Sequence, residues 1–174
     1  IQSGQEAYDI DDNIVSSFTD PGMITVDGGG GGTPTDDFTL SVGSASVETG
    51  DTVCLPISVA NFNSILGMEW SLDYDPALLE FVQVENFNLK DLSESAFGLP
   101  GMGTNQPGAV KLSWLDLAAQ GVTLVDGTVI FDACFVAVGN GTTQVGFDQS
   151  TTLEITDSDE NILPFVLNEG TVDI

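Results

Sequence analysis

Apolar and polar residues alternate along most of this chain. Phe38-Thr39-Leu40-Ser41-Val42 sets the pattern, and it returns in Val53, Leu55, Ile57 and Val59. It continues through Met68-Glu69-Trp70-Ser71-Leu72-Asp73-Tyr74, Phe81-Val82-Gln83-Val84 and Val110-Lys111-Leu112-Ser113-Trp114-Leu115. A period of two sends successive side chains to opposite faces of a strand, one face buried and the other wet. Val129 to Val138, Gln144 to Phe147, Leu153-Glu154-Ile155 and Thr171 to Ile174 complete a set of about nine short strands. Turn residues such as Glu48-Thr49-Gly50-Asp51 separate them. The period of an amphipathic helix is missing, and the long loop from Asn88 to Gly108 leaves room only for a helical turn at Ser93–Phe97. The pattern predicts an all-β fold, a nine-stranded antiparallel β-sandwich.

The first residues stand apart. Gly28 to Gly32 is an unbroken glycine run followed by Thr33-Pro34-Thr35-Asp36-Asp37, the composition of a flexible tether of about ten residues. Ahead of it, residues 9–26 align without a gap on residues 157–174, at a constant offset of 148. Asp9, Asp11, Asn13, Ile14 and Gly22 are identical to their counterparts Asp157, Asp159, Asn161, Ile162 and Gly170. A period that long is one whole domain per repeat. Residues 1–27 therefore read as the tail of a preceding repeat or a connector, 28–37 as a linker, and 38–174 as the sandwich. Ile14-Val15 and Met23-Ile24-Thr25-Val26 look like strands separated from their own module. Unpaired strands need partners for their backbone groups, so these residues are expected to connect to a neighbouring module, head to tail.

Charge narrows the partners. Twenty-seven acidic residues face two bases, Lys90 and Lys111, for a net charge of −25. Such a surface repels nucleic acid and anionic lipid. It suits divalent cations or a saline extracellular setting, where repulsion is screened. Without His or Arg, His-based triads, His-ligated zinc and arginine-assisted phosphoryl transfer are excluded. Carboxylate pairs alone can hydrolyse glycosides. Asp73, Asp75 and Asp116 are the candidates, but Asp73 and Asp75 sit where a strand runs into a turn, so catalysis is not expected. No apolar run is long enough to span a bilayer.

Asp157, Asp159 and Asn161, with the copy Asp9, Asp11 and Asn13, are candidate Ca2+ ligands, since alternate oxygens in a tight loop can converge on a hard cation. The loop is not an EF-hand, because Ile162 and Pro164 follow and Glu169 falls at position thirteen. Asp148 is a further candidate ligand, and a plain polar hairpin is the competing reading. Cys54 is out of phase with Val53, Leu55 and Ile57, and Cys134 with Phe131, Ala133 and Phe135, so both point away from the core. They are a cross-strand pair or two small hydrophobes. Trp70 and Trp114 form a sugar-stacking pair or belong to the core. Phe97, Leu99 and Met102 mark a possible contact with a neighbouring module.

The order of elements resembles the cohesin family, the jelly-roll modules that bind dockerins in bacterial scaffolding proteins. Gly50-Asp51-Thr52-Val53-Cys54-Leu55-Pro56-Ile57, Gly67 to Phe81, Gly127-Thr128-Val129-Ile130-Phe131 and Gly170 to Ile174 carry the likeness, which covers residues 38–174. It implies jelly-roll topology with the last strand beside the first. It also makes the second and seventh strands neighbours, which implies a Cys54–Cys134 disulfide. Paired cysteines there resemble the divergent cohesin-like repeats of large bacterial surface proteins. The resulting expectation is a non-catalytic structural or adhesive repeat at the cell surface, joined to neighbouring copies. A dockerin-binding scaffold module and a polysaccharide-binding module are the alternatives.

Overall fold

The computed structural model describes residues 7–8, 14–15, 37–100 and 107–174. It divides into two units, Ile1–Thr35 and Asp36–Ile174. In the first, β1 (Ala7–Tyr8) pairs antiparallel with β2 (Ile14–Val15). Asp9, Asp11, Asn13, Met23, Ile24 and Val26 lie outside the described residues, as does Met102 in the second unit.

The second unit is a sandwich of β3 (Phe38–Val42), β4 (Ala45–Ser46), β5 (Thr52–Ala60), β6 (Ile65–Tyr74), β7 (Leu79–Glu85), β8 (Phe97–Gly98), β9 (Ala109–Leu115), β10 (Thr128–Ala137), β11 (Thr142–Phe147), β12 (Glu154–Asp157), β13 (Phe165–Asn168) and β14 (Gly170–Asp173). Among the described residues a single 3-10 turn, Glu94–Ala96, falls inside the predicted helical turn. One sheet has the order β13-β3-β5-β10-β7. The other has the order β4-β14-β11-β6-β9-β8, with β12 also on β6. Pairing is antiparallel except for β13 beside β3 and β14 beside β4, so the last strands do lie along the first.

Twelve strands stand where about nine were expected, and the three additional ones are the short strands β4, β8 and β13. β4 is cut off from β3 at Gly43, and β13 from β14 at Glu169. Pro56 explains the first cut. Gly43 donates its N–H to the Pro56 carbonyl, but Pro56 has no N–H to return. The ladder ends there and the chain moves to the opposite sheet as β4. Gly170 begins β14 at the same corner, where a Cβ would collide with the Gly43 carbonyl.

The core lies between the sheets and is filled by the inward phase of each strand. Leu55, Ile57 and Val59 of β5 meet Leu40 of β3, Phe131 and Phe135 of β10, and Leu72 of β6, all almost fully buried. Trp70 and Trp114 belong to this phase, in step with Met68, Leu72, Val110 and Leu112, and are only 1% and 4% exposed. Trp70 stacks on Phe131 at 6.0 Å and meets Phe147 edge-on at 5.3 Å. Trp114 donates its indole N–H to the Lys90 carbonyl at 2.8 Å. Of the two alternatives for Trp70 and Trp114, the core holds, and the interaction face on these two residues is corrected, since both indoles are buried. Phe97 likewise turns inward onto Phe131 at 4.9 Å, and Leu99 packs against the core rather than presenting a free patch.

The chain enters the sandwich at one pole, where Asn61 Nδ2 donates to the Asp37 carbonyl at 3.0 Å. It reaches Ile174 at the opposite pole, where Ile174 and Gly141 exchange backbone hydrogen bonds.

Candidate partner-binding face

The outward phase of the seven-stranded sheet forms a polar surface whose rows are fixed by strand register. Glu69 of β6 stands between Ser113 of β9 and Glu154 of β12, and Ser71 stands beside Lys111. Asp73 lies between Ala109 and Gly146. Gly98 of the short edge strand β8 lies beside Lys111. The loop after β11 leans over this surface. Asp148 donates its N–H to the Ser71 carbonyl at 2.9 Å and accepts from Ser150 N and Oγ at 2.8 and 2.6 Å. Thr151 and Thr152 are thus brought above β6 and β9, where with Glu69, Ser113, Gly98 and Lys111 they wall a shallow cleft of about 260 Å³. A second cleft continues along the same face beside Asp73, Gln144, Gly146 and Glu169.

The two bases have different fates. Lys90 Nζ is held by Asp116 Oδ1 at 2.7 Å and by Asp91 at 3.6 Å. Asp116 also accepts the N–H groups of Ala118, Gln120 and Gly121. The Lys90 hydrogen bond, followed by that of Gln120, lowers its pKa to about 2. Lys90 is raised above its ordinary value, first by that hydrogen bond. Both are spent on holding the β9 exit to the loop before β8. Lys111 is exposed at the centre of the polar face, and among the described residues no carboxylate lies within 4.0 Å of it. Its charge does help hold the Asp148 carboxyl below the usual range, after the hydrogen bonds from Ser150. Leu115, 56% exposed, extends the face with an apolar contact beyond Ser113.

The outward face of the five-stranded sheet is built differently. Cys54 and Cys134 stand directly opposite each other on β5 and β10 and form a disulfide, as the family likeness implied. Glu85 lies close by, but the sulfurs are bonded to each other and offer no thiolate to a metal.

Asp157 organises a hairpin. Its Oδ1 accepts the N–H groups of Asp159 and Asn161, each at 2.9 Å, and Asn161 Nδ2 reaches both carboxylate oxygens. These bonds, the Asn161 side chain first, lower the Asp157 pKa. Among the described residues, the Asp159 carboxylate takes no hydrogen bond, its backbone N–H alone being engaged by Asp157. Among the described residues, no three carboxylates here come within 4.8 Å of one another. Asp75 is a turn residue, accepting the Ala77 N–H at 2.9 Å.

Strand period alone pointed to Lys111, Ser113 and Glu69 as the polar alternates between buried neighbours. Thr151 and Thr152 carry no such signal, because only the folded loop brings them to the sheet.

This is a jelly-roll sandwich without a catalytic constellation among its described residues. The chain belongs to the cohesin family, whose domain matches residues 38–174. Its fold is similar to a cohesin from Clostridium thermocellum seen with the dockerin Doc918. That likeness has a TM-score of 0.65 at 18% identity and covers 79% of this chain and 99% of the other. The sixth cohesin of scaffoldin B from Acetivibrio cellulolyticus, in complex with a Cel5 dockerin, gives 0.65 at 19% identity over 79% and 99%. A non-cellulosomal cohesin from Archaeoglobus fulgidus gives 0.62 at 21% identity over 78% and 89%. A comparison with curated proteins yields no significant match.

Proposed function

We propose that this module is a non-catalytic receptor for a dockerin-type partner, and that it receives that partner on the outward face of the seven-stranded sheet. The supporting observation is the cleft around Lys111. The cation, the surrounding hydroxyls of Ser113, Thr151 and Thr152, and the apolar edge at Leu115 share one sheet face, the usual mixture of a polar protein interface. The net charge of −25 selects partners that are basic or neutral over most of their contact and acidic opposite Lys111. The disulfide and the acidic surface favour a site of action outside the cell.

The test is binding of the full chain to a panel of dockerin domains that includes those paired with the Clostridium and Acetivibrio cohesins. At least one is expected to bind. Lys111→Glu is expected to weaken that complex by about tenfold or more, which is ~1.4 kcal/mol. If no dockerin binds, the reading is lost.

A second reading, a structural repeat of a surface protein, is favoured by the two poles. A module entered beside Asn61 and left beside Gly141 spaces its neighbours along a line. That reading expects extended, multi-module particles in scattering and no dockerin affinity. Binding of sugars has lost its support, because the two tryptophans are buried.

A further inference from the structure

Residues 149–174 close the sandwich. β12 pairs with β6, the chain turns back at Asp157, β13 joins β3 in the other sheet, and β14 returns between β11 and β4. This one segment ties both sheets together, and it sinks Ile155 and Val172 fully into the core.

The leading segment repeats it in sequence, and its four described residues repeat the pairing of the closing hairpin. In the closing hairpin Thr156 bridges Ile162, and Leu163 donates its N–H to the Ile155 carbonyl at 2.8 Å. In the first unit Tyr8 pairs with Ile14 and Ala7 with Val15. Each of these four residues lies 148 positions before its counterpart. The shared Asp-x-Asp-x-Asn sequence accounts for the common register. It does not account for the agreement further along the chain. Gly170, Val172 and Ile174 are matched by Gly22, Ile24 and Val26 with no insertion. Gly170 is required because the Gly43 carbonyl leaves no room for a Cβ, and Val172 fills the core. A free-standing tail needs neither. The match is looser at Leu153 and Leu167, where Gln5 and Thr19 stand.

We propose that residues 1–26 are a second closing segment, which completes the sandwich of another copy of this chain in place of that copy's residues 149–174. The proposal rests on the topology of the sandwich and not on dockerin binding. Each copy can then give one segment and accept one, a head-to-tail contact that does not close on itself. A copy's own closing segment competes at high effective concentration, so the exchange is read most clearly when that segment is weakened.

The test uses the full chain carrying Val172→Asp, alone and together with Ile24→Asp. Near-UV circular dichroism reports the packed Trp70 and Trp114, and light scattering reports mass. The single variant is expected to keep the near-UV signal and to at least double in mass. The double variant is expected to lose both. If the two variants behave alike, folded or unfolded, the leading segment does not fit the sandwich and the proposal falls. A folded Val172→Asp monomer that depends on Ile24 overturns the second copy, since the segment then closes its own sandwich.

Discussion

The two outward faces of the sandwich are built from the same alternating strands and yet serve opposite ends. On the five-stranded sheet the centre of the face is a covalent bond, Cys54 to Cys134 across β5 and β10. On the seven-stranded sheet the corresponding centre is Lys111 among hydroxyls and carboxylates, under a loop held by Asp148. The first face is joined within itself and offers little that a partner could replace. Among the described residues the second keeps Lys111 out of any ion pair, in a chain with 27 acids. The covalent tie is on one side and the proposed recognition surface on the other, so damage to the two faces should be separable.

The largest effect is expected from the covalent face. The disulfide joins residues 80 positions apart, and restricting a loop of that length in the unfolded chain is worth up to about 4 kcal/mol. Cys54→Ser with Cys134→Ser should lower the denaturation midpoint accordingly. Affinity for the partner, measured well below that midpoint, should not change. Equal losses of stability and affinity would show that the two faces are coupled through the core.

Next comes the rim of the polar face. Asp116 is almost fully buried and gathers Lys90 and three backbone N–H groups. Its folded pKa of about 2 lies below the ordinary value of 3.8. A carboxylate lowered by folding contributes stability that is fully present above its unfolded pKa and lost as pH falls through the folded one. Melting temperature should therefore decline from about pH 4 towards pH 2, with Asp148 and Asp157, both lowered as well, adding to the slope. Asp116→Asn should be less stable at neutral pH and should flatten that acid limb. An unchanged limb would mean that the other carboxylates dominate it. Lys111→Glu should do the converse of the cysteine replacements, weakening the partner complex and leaving melting almost unchanged.

Much of this division was legible in the strand period. The phase that sends Leu55 and Ile57 inward sends Cys54 outward, and the phase of Met68 and Leu72 carries Trp70 into the core. Of the two readings open for Trp70 and Trp114, core and sugar platform, their apolar neighbours in phase, Met68, Leu72, Val110 and Leu112, favour the core. Lys111 and Ser113 were visible as the polar alternates of β9. The cleft was not, because Thr151 and Thr152 reach it only through a loop whose path depends on contacts distant in sequence. The corners at Gly43 and Glu169, which set off the additional strands β4 and β13, were equally hidden. They arise from the Pro56 ladder break and from the crowding at Gly170, and both are tertiary facts.

The smallest effect sharpens the comparison at the pole where β12 ends. Calcium at Asp157, Asp159 and Asn161 remains a proposal, and the hairpin suggests how to isolate it. Asp157 is a poor residue to remove, because its carboxylate holds the Asp159 and Asn161 N–H groups and its loss would undo the turn itself. Asp159 keeps its carboxylate clear of those bonds, so Asp159→Ala leaves the hairpin intact and deletes only a ligand. At calcium tenfold above its dissociation constant, a single site stabilises by about 1.4 kcal/mol, or ~4 °C in melting temperature for a domain of this size. Calcium should therefore raise the melting temperature of the unaltered chain over that in chelator, and Asp159→Ala should lose the rise. The comparison must be made at matched ionic strength with magnesium as control, since any divalent ion screens a net charge of −25. A rise that magnesium reproduces, or that survives Asp159→Ala, would assign the effect to the acidic surface as a whole and leave the hairpin as a turn.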